Sequence, residues 1–423
     1  MCLNIAELNT PIADFLREYN AHGFLRLHMP GGMSNPSDIT EIFGADSLYE
    51  SSSIILKSEQ NAAALFGSGG VCYSCSGSTL SIQAMLGFAK QQGFEKIAAG
   101  RYSHKSLVNT AILLGLEIEW LYPEKYLSSQ VEMSALKSPC VFLTSVDYYG
   151  GECDIAAAAE HLPDNALLLV DNAHGAYKVF SGDHPITKGA DLVADSAHKT
   201  LPVLTGGGYL HMKEPTNRKE LKRQMSLFGT TSPSYLILES LDLCNLYVKN
   251  QCETALRSFK QVEQLKNALS KMGFALAQSD AMRITINARE SGFTGFELAA
   301  KLREKFIECE MSDDTFLVLI FSAGVLPVAD LIIRAFSEIV IKKRLPPKEH
   351  IILKPKVALP LREAFYKKSR LTPIANAHGR ICAEVTAPCP PGVPLIMPGE
   401  IIDSECIEEL RRNGVEEVLT VDN

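Results

Sequence analysis

The chain has 423 residues, 46% of them hydrophobic and 21% charged, with a formal net charge of -8. That length exceeds one compact core and implies two or three domains. The acidic balance, with no long Lys/Arg stripe to offset it, argues against a nucleic-acid binder, and the longest apolar runs, such as 166–170, fall far short of a membrane span.

The N-terminus, Met-Cys-Leu-Asn, lacks a basic segment followed by an apolar one and predicts no signal peptide. Eleven scattered cysteines, an odd number, fit reduced thiols in a cytoplasmic protein better than a disulfide framework. Residues 1–25 read as a short amphipathic helix with Ile5, Leu8, Ile12 and Phe15 apolar. The Gly/Pro/Ser-rich stretch Met29 to Pro36 reads as loop. Cys72 and Cys75 have CxxC spacing, which serves a metal or redox centre when a second ligand pair lies nearby and otherwise marks small residues packing in a strand.

Between about 60 and 215 apolar strands alternate with helices. The pattern predicts helices over 79–91 and 106–114, and strands at 96–99, 117–121, 140–144, 166–170 and 191–195. Such alternation implies a mainly parallel sheet covered on both faces, with ligands at the carboxyl ends of its strands. From about 250 the composition shifts. A long helix over 251–272, strands at 283–286 and 315–321, and helices near 296–306 and 328–341 suggest a smaller α+β domain. Pro346 and Pro347 mark a loop, and the chain turns Pro-rich around 388–398. The predicted division is an N-terminal helix and loop segment (1–60), a large domain (61–250) and a small C-terminal α+β region (251–423).

Four places carry chemistry. Ser196-Ala-His-Lys-Thr200 follows an apolar strand, where a lysine's charge is costly unless it is paired or used covalently. Desolvation lowers a lysine's pKa and frees its amine for Schiff-base formation; a solvent-facing loop lysine is the alternative. Asp171 closes the strand Leu167-Leu-Leu-Val170 and precedes Asn172-Ala-His174. It suits a partner for the ring nitrogen of pyridoxal 5'-phosphate (PLP), or a plain helix cap. Ser76-Gly77-Ser78-Thr79 sits between strand and helix, where glycine, hydroxyls and helix N–H groups can hold a phosphate monoester, or simply cap the helix. His104, past another strand, offers a flat ring to stack on a cofactor, or another cap.

In order along the chain, Ser76-Gly-Ser-Thr79, Arg101-x-x-His-Lys-Ser106, Thr144-Ser145 with Tyr149-Gly150, Asp171-x-Ala-His-Gly-Ala176, Ser196-x-His-Lys-Thr-Leu201, Thr231-Ser-Pro-Ser-Tyr235, Gly379-Arg-Ile-Cys-Ala-Glu384 and Pro390 to Glu400 resemble the Orn/Lys/Arg decarboxylase family over about residues 26–405. The resemblance implies the aspartate-aminotransferase-like fold, with a mainly parallel seven-stranded sheet in an α/β large domain. It implies PLP held as a Schiff base on Lys199, Asp171 on the pyridine nitrogen, and His104 stacked on the ring. Ser78, Thr79, Ser196 and His198 would hold the phosphate, and His174 would reach the ring's phenolic oxygen. Ser232 would reach the phosphate of a neighbouring subunit's cofactor, so a homodimer is implied. The implied reaction is decarboxylation of lysine, arginine or ornithine to cadaverine, agmatine or putrescine, by a short form lacking the N-terminal receiver-like domain. No metal is implied.

Two segments depart from the family. A Pro-Gly-His-Lys-like loop reads Pro30-Gly-Gly-Met33, and Pro202-Val203 with Thr205-Gly206 replace the usual small residues and Thr-Gln. They leave open another fold type I reaction, such as transamination or cysteine desulfuration (with Cys309, Cys382 or Cys389 as nucleophile), and a PLP-binding protein without catalysis.

Overall fold

The structure is a computed structural model that describes residues 8–31, 35–126, 128–324, 329–348, 351–387 and 393–422. Ile5, Met33 and Cys389, named above, lie outside the described residues. The chain forms two compact units that interleave along the sequence: Met1–Gln92, Asp154–Ser258 and Ser322–Leu326 make the first, and Gly93–Cys153, Phe259–Phe321 and Pro327–Asn423 the second.

Seven strands make one mainly parallel sheet in the order β1-β7-β6-β5-β4-β2-β3. They are β1 (Gly70–Ser74), β2 (Lys96–Gly100), β3 (Glu117–Leu121), β4 (Cys140–Thr144), β5 (Leu167–Asp171), β6 (Leu192–Asp195) and β7 (Gly208–Met212). In the first unit β5 and β6 pair in parallel, with Asp171 opposite Ala194. β7 runs against both of its neighbours, β6 and β1. In the second unit β2 pairs in parallel with β3 and β4. The buried strands are continuous apolar runs, such as Leu168-Leu-Val170 and Cys140-Val-Phe-Leu143, as a sheet covered on both faces demands.

Helix α1 (Pro11–Ala21) opens the described chain, shorter than the expected 1–25, and buries Ile12, Ala13 and Leu16. Its first N–H groups, on Ile12 and Ala13, donate to the buried Asp242 carboxylate at 2.9 and 3.0 Å, a cap supplied from a distant helix (Tyr235–Asn250). Burial pushes Asp242 up to about 6. A carboxyl whose folded pKa lies above its unfolded value binds its proton more tightly when folded, so its contribution to stability falls as pH rises from about 4 through 6. Asp242→Asn should flatten that limb of the thermal-unfolding midpoint between pH 4 and 7, whereas a variant with the wild-type slope would show that the group does not titrate there.

Helix α2 (Ile54–Phe66) has no signature in the sequence reading; its start is held by Asp46, which accepts the N–H groups of Ser52, Ser53 and Ile55. Helix α3 (Gly77–Gln91) buries Leu80, Ile82, Met85, Leu86 and Phe88. In the second unit α4 (Lys105–Leu114) buries Leu107, Val108, Ala111 and Ile112 and ends at Gly115 with a positive φ of 67°. The antiparallel sheet β10-β11-β9-β8 (Met311–Ser312, Phe316–Ile320, Arg283–Asn287, Leu276–Ala277) matches the predicted smaller α+β region. A two-stranded ribbon, β12 (Ser369–Pro373) with β13 (Glu417–Val421), closes the chain. Among the described residues no helix is long and apolar enough to cross a membrane.

Eight described cysteines are free thiols, and Cys252 is disulfide-bonded. The expectation is of reduced thiols in preference to a disulfide framework; among the described residues eight thiols are free and only Cys252 departs from it. Burial pushes both Cys72 and Cys75 up to about 12, so they stay protonated at neutral pH, and the thiolate is the reactive and metal-binding form. Iodoacetamide at pH 7.5 should leave both unlabelled in the native protein and label both after denaturation, read by peptide mass spectrometry. Rapid native labelling of either would contradict this packing.

Candidate active site

The first unit brings together nearly all of the candidate residues, from three loops at the ends of β1, β5 and β6. Lys199 lies in a short helix (Ala197–Thr200) that begins two residues after β6. Its Nζ is 2.9 Å from Nε2 of His174, which lies in the turn after β5. Asp171, the last residue of β5, is buried. Burial raises its pKa; the N–H of Ala173, donated to Oδ1 at 3.0 Å, and the nearby Lys199 charge lower it, and the Asp195 charge raises it. Asp171 and Lys199 therefore lie in one electrostatic neighbourhood, where burial leaves the Asp171 pKa raised and a cation placed against it would favour the ionised form.

The third loop precedes α3. Ser196 Oγ and Ser78 Oγ are 2.8 Å apart, and the Ser78 N–H points at Ser196 Oγ at 3.4 Å. Gly77 takes φ +63°, a conformation that favours glycine, and donates its N–H to Gly206 O at 2.7 Å. Gly206 itself has φ +98°, and a Cβ there would lie 3.1 Å from Cys75 O. The departure Thr205-Gly206 thus has a local reason, because it pins the turn before α3. His198 is tied to the same glycine run: its Nδ1 lies 2.9 Å from Gly207 O, and its N–H donates there at 3.2 Å. Ser76 stands just before α3, its N–H on Ser74 Oγ at 3.1 Å, and Thr79 lies in the first turn. Ser232 is exposed in the segment before the helix Tyr235–Asn250.

His104 belongs to the second unit, where it is the N-cap of α4 and accepts the Ser106 N–H on Nδ1 at 3.2 Å. The capping alternative is therefore realised, which fixes the ring's orientation. Three residues upstream, the guanidinium of Arg101 is buried and makes a two-pronged ion pair with Glu400 at 2.6 and 2.9 Å. A third bond runs from Arg101 to Leu395 O at 2.9 Å. Here the Arg101 motif meets the C-terminal Pro/Gly motif. Also in this unit is a cavity of 650 Å³ walled by Tyr126, Tyr149, Phe316 and Asp313, with the Tyr149 hydroxyl donating to Asp313 at 2.8 Å. Of the cysteines weighed as desulfurase nucleophiles, Cys382 is buried and pushed up to about 11 by burial, and burial also raises partly buried Cys309. Neither is set up as a thiolate.

The donor set of the first unit suits a phosphorylated pyridine aldehyde. It offers an amine, a buried carboxylate, and two hydroxyls with helix N–H groups around a turn that requires glycine. Reading by sequence missed Asn172, His184, Asp195 and His211, which pack beneath these loops. Asp195 ends its strand just as Asp171 does, and that parallel was the available signal. The two histidines lie 11 and 16 residues from it along the chain and carry no motif.

This mainly parallel sheet, with its ligand groups at strand ends, defines an aspartate-aminotransferase-like protein. The lysine decarboxylase LdcF of Francisella novicida superposes with a TM-score of 0.79 at 16% identity, over 98% of this chain and 82% of that one. Lysine decarboxylase A of Pseudomonas aeruginosa gives 0.82 at 16% identity, over 97% and 80%. The family models for the Orn/Lys/Arg decarboxylase major domain and C-terminal domain match residues 30–289 and 342–411, and the chain belongs to that family of amino-acid decarboxylases. Among its relatives, the uncharacterized protein YaaO of Bacillus subtilis is 28% identical, over 96% of this chain and 94% of its own length. An arginine decarboxylase of Bacillus anthracis is 27% identical, over 97% and 94%.

Proposed function

We propose that the protein is a PLP-dependent decarboxylase that converts a basic amino acid (lysine, arginine or ornithine) to its amine, as a step in polyamine biosynthesis. The observation that carries the reading is the convergence of Lys199, His174 and Asp171 from the ends of adjacent parallel strands, with the Ser78 and Ser196 hydroxyls 2.8 Å apart at the start of α3. The family membership and the relatives named arginine decarboxylase support the substrate class.

When bound, PLP supplies an electron sink for the pair released as CO2 leaves. Lys199 would be its covalent anchor. Ser76, Gly77, Ser78, Thr79, Ser196 and His198 would hold its phosphate. Asp171, whose own pKa is raised by burial, would pair with the ring nitrogen and favour that nitrogen's charged form. His104, whose ring is held by Ser106, would stack on the cofactor, and His174, with its Nε2 2.9 Å from the Lys199 amine, would reach the phenolic oxygen. Lys199 or His174 returns a proton to the substrate carbon. Ser232 serves the site of a second subunit, so the working form is a homodimer. The eight free thiols support a cytoplasmic location.

The test is to purify the protein, record its cofactor absorbance and measure CO2 from arginine, lysine and ornithine. CO2 and the matching amine are expected from at least one of them. Keto-acid or sulfide formation would move the reading to another fold type I reaction, and a yellow protein inert to all three would make it non-catalytic. Asp171→Asn should retain cofactor but lose turnover by on the order of 100-fold, because a neutral amide no longer holds the ring nitrogen charged. A variant with wild-type kcat would remove Asp171 from this role.

A further inference from the structure

Among the described residues one cluster of potential metal-ligating side chains occurs, and it is fully buried: His184, Asp195 and His211. Its hydrogen bonds close on themselves. Asp195 Oδ2 lies 3.0 Å from His184 Nε2 and 2.9 Å from His211 Nε2, and Oδ1 accepts from Asn172 Nδ2 at 2.6 Å. His184 Nδ1 takes the Ile186 N–H at 3.4 Å, which puts the ring proton on Nε2, facing the carboxylate. His211 Nδ1 meets Ser68 Oγ at 2.9 Å. Burial alone would raise the Asp195 pKa; the two imidazoles more than offset that and hold it below the ordinary carboxylate range. The result is a buried anion saturated by three N–H donors, with no fourth ligand among the described residues of the kind a structural zinc site needs.

The cluster's position gives it a use. Asn172 follows Asp171 directly, and its backbone N–H donates to Ala194 O at 2.9 Å. Its carbonyl accepts the Gly175 N–H at 2.8 Å, and a Cβ at 175 would lie 2.0 Å from Asn172 Oδ1, so this side chain fits only beside glycine. On the other strand Asp195 directly precedes Ser196, whose carbonyl accepts the Lys199 N–H at 3.0 Å. The Asn172–Asp195 bond therefore ties the loop bearing Asp171 and His174 to the loop bearing Ser196 and Lys199.

We propose that Asn172 and Asp195 are positioning residues, a clamp that sets the two cofactor loops against each other, with His184 and His211 as its fixed base. This rests on the PLP reading above. A 2.6 Å charge-assisted hydrogen bond sealed from water is short and directional, so the relative placement of Lys199 and Asp171 follows from it. The imidazoles hold the carboxylate's other oxygen and stop it from rotating away from Asn172.

The experiment compares wild-type protein with Asn172→Ala and Asp195→Asn. It measures the PLP dissociation constant, the induced visible circular dichroism per bound cofactor, and the unfolding midpoint. Asn172→Ala deletes one arm of the clamp and leaves the base intact. Its PLP dissociation constant should rise on the order of tenfold or more, with a changed dichroic band per cofactor. Asp195→Asn keeps the shape and still offers an oxygen to Asn172, so an intermediate effect is expected. A merely structural role would lower the unfolding midpoint and leave affinity and dichroism untouched; that result in both variants overturns the proposal. Wild-type protein that takes up no PLP would overturn the functional reading and the clamp with it. That outcome is distinct from a wild type that binds PLP and variants that bind it equally well.

Discussion

Lys199→Ala is expected to abolish the covalent cofactor and to lower CO2 release by at least about a thousandfold. Borohydride reduction followed by digestion should mark the wild-type peptide containing position 199 and leave the variant unmarked. The expectation follows from place as well as residue type. Lys199 emerges from a short helix just after a buried strand, with its amine 2.9 Å from an imidazole and its charge felt by Asp171. Removing it takes away the nucleophile and also the cation that lowers the Asp171 pKa. The carboxyl of the variant should then titrate higher in the cofactor-free protein, which works against pairing with a ring nitrogen. PLP added to the variant should bind reversibly through the phosphate loop alone, so phosphate competition should be stronger than in the wild type. A variant that keeps a reducible linkage at another lysine would move the anchor and dismantle the assignment of the whole site.

Much of this arrangement was legible in the chain. β4, β5 and β6 show as apolar runs because both sheet faces are covered, the edge strand β3 shows as an alternating one, and β3 and β4 fall where the pattern places them, at 117–121 and 140–144. β7 was hidden because it opens at the end of the run Gly206-Gly207-Gly208, which reads as loop. Only in space does that run explain itself: Gly206 holds Gly77, and a Cβ at 208 would meet Asp195 O at 2.7 Å. Helix α2 begins after Ser53, whose side chain makes no cap bond; the N–H groups at its start go instead to Asp46, several residues upstream, a contact that local sequence does not reveal. Within the site, residues that bear chemistry in their own motif, such as Lys199, Asp171 and Ser78, could be read from local context. Asn172, His184 and His211 could not, and Asp195 only through its place at the end of a strand, because their meaning lies in mutual hydrogen bonds between segments that no periodicity connects.

The C-terminal Pro/Gly motif poses the same question about structure and chemistry, and Glu400 answers it in favour of structure. Its carboxylate is buried, accepts two N–H groups of Arg101 at 2.6 and 2.9 Å, and accepts the Met397 N–H at 2.8 Å. Arg101 also lies 5.2 Å from the Trp120 ring centre. Deleting one partner of such a pair leaves the other charged in a dry site, a loss of about 3–5 kcal/mol. Glu400→Ala should therefore lower the unfolding free energy by that amount in a denaturant titration. Arg101→Lys should cost less, since the charge survives while the two-pronged geometry does not. The double replacement Arg101→Met with Glu400→Leu should be less damaging than Glu400→Ala alone, because no orphan charge remains. Glu400→Ala with wild-type stability would mean that the pair is not closed in solution. His104 begins α4 three residues after Arg101, so loosening this pair should also free the ring that caps the helix.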